Sequence, residues 1–140
     1  MATSQRVVRA QTVPAGFLPH FQLFAMVSAD RGEPAFGFER GAVGDHLGTL
    51  LGACRAAGAG RLRVGVSDYT DGALRPVVDA IGEVAASFDD VEVVADPDRS
   101  SSEAYYDGRC LELWADRDGR WIDVAEAGRV NVTARSAWPR

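Results

Sequence analysis

The chain has 140 residues, 46% hydrophobic and 25% charged, a length and balance that suit one globular core and exclude a disordered polymer. Its net charge is −5 and all fifteen basic residues are arginine, which excludes general affinity for nucleic-acid backbones, because that affinity needs a basic surface that releases counterions. No apolar run reaches the ~18 residues of a membrane span and the opening MATSQRVVRAQ lacks a signal peptide's apolar stretch, so a cytoplasmic protein of one domain over 1–140, without membrane contact, is expected.

Residues 5–13 and 20–28 read as the strands of a hairpin, separated by a loop whose Pro14, Gly16 and Pro19 suit a short connection. In the second strand Phe21, Leu23, Ala25 and Val27 alternate against His20 and Gln22, the period of two of a strand. The same alternation is expected to turn Val8 and Ala10 inward and to set Arg9 and Gln11 on the face of His20 and Gln22. After a turn at 30–34, residues 35–38 read as a brief extended piece.

From 42 to 57, Val43, Leu47, Leu50, Leu51 and Cys54 recur at helical spacing, and Gly58-Ala59-Gly60 stops the run. A strand follows at 61–67. A second helix is expected over 72–88, with Asp71 as N-cap, Pro76 in its early turns, and Leu74, Val77, Val78, Ile81, Ala85 and Phe88 inward. Residues 91–95 form a short strand, and 128–133 read as a further one. The class is α+β, a mostly antiparallel sheet with both helices packed on one face.

The stretch between holds a second hairpin. With Asp118-Gly119 as its two-residue turn, Arg117 pairs with Arg120, Ala115 with Ile122, Trp114 with Asp123 and Leu113 with Val124. Leu111, Leu113, Ala115, Ile122 and Val124 then face the helices, while Cys110, Glu112, Trp114, Trp121 and Asp123 share the other face with Tyr106. Aromatic walls beside a few fixed polar groups are what a small-molecule pocket requires. Glu112 and Asp123 are the candidate anchors for an amine, and Arg9 for a carboxylate or phosphate.

The order and these residues resemble the class II aminoacyl-tRNA synthetase core, closest to histidyl-tRNA synthetase and its non-synthesising paralogues. Val8-Arg9-Ala10-Gln11, the Pro/Gly loop and Pro19-His20-Phe21-Gln22-Leu23-Phe24 resemble that family's second motif, whose arginine holds the ATP α-phosphate. Tyr105-Tyr106-Asp107-Gly108 resembles the paired-tyrosine segment that lines its amino-acid pocket. The resemblance implies a site of Arg9, Gln11, His20, Gln22, Tyr105, Tyr106, Glu112, Trp114, Trp121 and Asp123 for an amino acid or related amine, serving a biosynthetic pathway. It departs from the family where Gln11 replaces the usual glutamate and where no arginine-glycine pair precedes the tyrosines. The family's first and third motifs are absent from the sequence, so a truncated module is expected rather than a complete synthetase.

Other motifs lead elsewhere. Arg55-Ala56-Ala57-Gly58-Ala59-Gly60 matches an acetyltransferase pyrophosphate loop, but it closes a helix where that chemistry requires a loop that opens one. Cys54 and Cys110 are expected as thiols, and no C-x-x-C or H-E-x-x-H spacing points to a metal. No cofactor is specified by any motif. Two alternatives stand beside the ligand-binding module. One is a non-catalytic interaction subunit, a homodimer or the partner of a larger synthetase-like chain; the other is a small cyclase or isomerase with a carboxylate base.

Overall fold

The structure is a computed structural model and describes residues 1–8, 20–30, 34–70, 72–96 and 106–130. The described residues form an α+β fold, with two helices and six strands in two sheets that are mostly antiparallel. The chain divides into two compact units, Met1–Arg31 and Gly32–Arg140.

The first unit is a two-stranded antiparallel ribbon of β1 (Ala2–Val8) and β2 (His20–Met26). Its register sets Val8 opposite His20, Arg6 opposite Gln22 and Gln5 opposite Leu23. Opposed residues share a face, so Val8 lies with His20 and Gln22 and is 71% exposed, not turned inward as the alternation suggests. The register between the strands, which alternation within one strand does not fix, decides this. Arg9, Ala10 and Gln11 lie outside the described residues.

The second unit starts with a 3-10 turn at Pro34–Phe36 running into α1 (Gly37–Ala56), where an extended piece is expected from sequence. Ala35 and Phe36 take left-handed backbone, φ 56° and 58°, which costs about 1 kcal/mol each. Phe36 packs against the core in return. At the other end Gly58 adopts φ 86°, and its amide donates to the Arg55 carbonyl while that of Ala59 donates to the Cys54 carbonyl. That pair of bonds is a Schellman closure, which favours glycine at the left-handed position. The Arg55 guanidinium donates to the carbonyls of Ala59, Gly60 and Asp89, so the R-x-x-G-x-G arginine is occupied in closing the helix.

Strand β3 (Leu62–Asp68), helix α2 (Arg75–Ala86) and strand β4 (Val91–Ala95) form a parallel crossover. Leu74 is the N-cap of α2 and no side chain caps it; the expected cap, Asp71, lies outside the described residues. Strands β5 (Arg109–Arg117) and β6 (Arg120–Gly128) complete a sheet of order β4-β3-β5-β6, with β5 antiparallel to both neighbours. Leu47 and Leu51 of α1 and Val77 and Ile81 of α2 pack on Leu62, Val64, Val66, Leu111, Leu113 and Ala115 of one sheet face. Each such valine, leucine or isoleucine contributes ~1.5–3 kcal/mol by leaving water. Among the described residues no helix is long and apolar enough to cross a membrane.

The β5–β6 hairpin turns at Asp118-Gly119, both with positive φ, as a two-residue primed turn requires. Pairing runs as the sequence implies from Arg117↔Arg120 to Trp114↔Asp123, and then a bulge makes Val124 an extra residue, so that Leu113 meets Ala125. Val124 is therefore not a core residue; it is 46% exposed. Ile122 shares the face of Ala115 but is 42% exposed, because it stands on an edge strand while the packed core is built on β3 and β5. Beyond β6, residues 131–133 of the expected final strand lie outside the described residues.

Candidate functional site

The sheet face turned away from the helices carries Arg63, Gly65 and Ser67 from β3, Cys110, Glu112, Trp114 and Asp116 from β5, and Trp121, Asp123, Glu126 and Gly128 from β6. A sheet face without helices is ordinarily solvated. Here Ser67, Cys110 and Glu112 are buried, Glu112 to 8% exposure. The two strand glycines account for part of that cover. A side chain at Gly65 would collide with the Trp114 ring, and one at Gly128 with the Tyr106 ring, so each ring occupies the space that a Cβ would fill. Gly65 pairs with Glu112 and Gly128 pairs with Cys110, so the carboxylate lies in the strip between the two aromatics.

The bulge puts Glu126 directly across from Glu112. Opposed side chains in such a ladder begin ~5 Å apart, and the Cys110 thiol stands 3.5 Å from Glu126 Oε1. Facing carboxylates repel unless a cation or a shared proton lies between them. A pair of this kind attracts a cation or shares a proton, and both glutamates already have contacts within the chain. Asp123 pairs with Trp114, so the carboxylate opposite Glu112 is Glu126; Asp123 and Glu126 are both exposed.

The Trp121 end of the face is already furnished with cations. The guanidinium of Arg63 lies 4.3 Å from the centre of the Trp121 ring and that of Arg61 5.4 Å from it. Arg63 also donates to Glu92 through Nε at 3.0 Å, and Arg61 lies 3.8 Å from Asp116. An open cleft of about 270 Å³ is bounded here by Arg63, Val94, Ala95, Asp96, Trp114 and Trp121. It does not include Glu112, and Trp121 is spoken for by the protein's own arginines.

A second polar cluster closes one end of the sheet. Arg109 is 4% exposed; its guanidinium lies 2.5 Å from Asp68 Oδ2 and donates to the Leu74 carbonyl at 2.6 Å. Asp68 Oδ1 also accepts from the Thr70 amide and hydroxyl. Burial pushes the Asp68 carboxyl up, but the Thr70 donors and the Arg109 charge together outweigh it and hold the group below its ordinary value. These contacts tie the β3–α2 connection to β5 and make Arg109 an internal strut.

Of the residues expected at the site, Tyr106, Glu112, Trp114, Trp121 and Asp123 lie on the helix-free side of the four-stranded sheet or against it. His20 and Gln22 share a face of the ribbon, both exposed, with Gln22 donating to Ser4 Oγ at 2.9 Å. Arg9, Gln11 and Tyr105 lie outside the described residues. Glu126, Arg63 and Arg109 escaped sequence reasoning. Strict alternation sends Glu126 toward the helices, and the charge that this would bury is the signal for a bulge. Comparison with protein-family models, with curated proteins and with solved structures finds no match to this chain.

Proposed function

We propose that the chain binds a small amine-bearing metabolite, with an amino acid as the expected class, on the helix-free face of its four-stranded sheet. Glu112 and Glu126 receive the ammonium group, and the rings of Tyr106 and Trp114 flank it. The observation that carries this reading is a glutamate buried to 8% exposure on the sheet face the helices leave open, opposite a second glutamate. The sequence resemblance of residues 8–24 and of the tyrosine pair to a class II synthetase core supports the amino-acid class, as a non-synthesising module of a biosynthetic pathway.

Calorimetric titration of the full chain with free amino acids and with simple alkylamines tests it. Heat of binding is expected with an amine-bearing titrant, and Glu112→Gln and Glu126→Gln are each expected to weaken it more than about tenfold, as loss of a charge-assisted hydrogen bond does. Silence with every titrant, or binding indifferent to both variants whose folding is intact by circular dichroism, overturns the reading.

A further inference from the structure

We propose that the cleft over β3 and β4 is a site for an uncharged, fused heteroaromatic ring of guanine type, one edge of which accepts hydrogen bonds while the adjoining edge donates them. This does not rest on the amine site. The cleft is about 270 Å³ and is bounded by the indoles of Trp114 and Trp121, the apolar side chains of Val94 and Ala95, and the charged groups of Arg63 and Asp96. Aromatic walls with a few polar groups in fixed places make up a small-molecule site, and an indole stacks on a flat ring.

Arg63 is set in place before a ligand arrives. Its guanidinium stacks on Trp121, and Glu92 Oε2 holds one edge of it through Nε and Nη2, each at 3.0 Å. An acceptor that enters the cleft is therefore met by the Nη1 edge of a group already ordered, as guanine O6 and N7 are met by arginine. Asp96 extends β4: its amide donates to the Val66 carbonyl at 2.9 Å, so it falls on the face of Glu92 and Val94. It stands four residues beyond Glu92, the rung of Arg63, or ~13 Å along the strand. Donor and acceptor thus lie toward opposite ends of the cleft. The Trp114 ring, over Gly65 and so level with Val94, stands between them.

Charge selects among flat ligands. Glu92, Asp96 and Asp116 set three carboxylates around the guanidiniums of Arg61 and Arg63, in a chain of net charge −5. A phosphate or carboxylate on the ligand is repelled there. An ionised carboxylate only accepts hydrogen bonds. Asp96 accordingly takes the ring N–H and amino donors that guanine presents side by side, and it is opposed by the lone pair that adenine carries in place of that ring N–H.

An NMR titration of the full chain with guanosine tests the proposal, following the indole N–H signals assigned with Trp114→Phe and Trp121→Phe. The Trp114 and Trp121 signals are expected to shift to saturation, and adenosine and guanosine 5′-monophosphate are each expected to bind at least about tenfold more weakly. Asp96→Ala is expected to lower the guanosine affinity more than about tenfold and to remove most of the preference over adenosine. No shift with guanosine, adenosine or the monophosphate bound as well as guanosine, or a preference that Asp96→Ala leaves intact in a chain folded by circular dichroism overturns the proposal. Should Asp96→Ala fail to fold, inosine decides, because it keeps the ring N–H and lacks the amino group. Weaker binding than guanosine supports the proposal, and equal binding overturns it.

Discussion

The ring of Trp114 lies against the backbone of Gly65, one strand away, with no room for a methyl group between them. Gly65→Ala is therefore an overpacking change at the centre of the sheet. It is expected to cost about 1–3 kcal/mol, read as a lower urea midpoint with an unchanged denaturant slope. Trp114→Ala should rescue it, the double variant being more stable than the sum of the two single losses implies.

Removing the Asp68 charge leaves Arg109 buried beside a neutral amide. Asp68→Asn is expected to destabilise by about 1–3 kcal/mol, because it leaves the buried Arg109 without its charged partner while water reaches the exposed Asp68 position and softens the loss. The Asp68 carboxyl is held below its ordinary value, so its contribution is fully present above the unfolded carboxylate value near ~4 and is lost as pH falls through the lower folded value. Urea unfolding across acid pH should show that loss in the native chain. The slope it contributes below about pH 4 should be missing in Asp68→Asn.

The bulge yields a third expectation. Deleting Val124 restores a continuous register in which Asp123 stays with Trp114 and Ala125 with Leu113, so every flanking side chain keeps its face. The deletion should cost less than about 1 kcal/mol, in line with loss of an exposed residue. Deleting Leu113, on the strand without the extra residue, turns one half of β5 over and should prevent folding. Circular dichroism and thermal melts of the two deletions separate these outcomes.

The sequence made legible those features with a local physical cause. Leu47, Leu51, Val77 and Ile81 announce two core-facing helices by their spacing, and Asp118-Gly119 announces a tight hairpin turn. Gly58 likewise marks the end of α1, where the R-x-x-G-x-G motif closes the helix. Features that depend on two distant segments at once were not legible. The register of β1 against β2 put Val8 beside His20, and a single inserted residue in β6 exchanged Val124 for Ala125 in the core and brought Glu126 opposite Glu112. Leu23 shows the same division: its strand was evident from alternation, but its 45% exposure was not. Period-two reasoning counts positions along one strand and has no means of seeing an extra residue in its pair.

The arginine–tryptophan contact has a mechanical corollary. Arg63 on β3 reaches past β5 to the Trp121 ring on β6, and at the far end of β6 the Asp107 amide donates to the Arg129 carbonyl while Tyr106 lies on Gly128. The outermost ribbon is thus riveted at both tips, and thermal opening should start as a blister around residues 123–125 instead of peeling inward from a loose end.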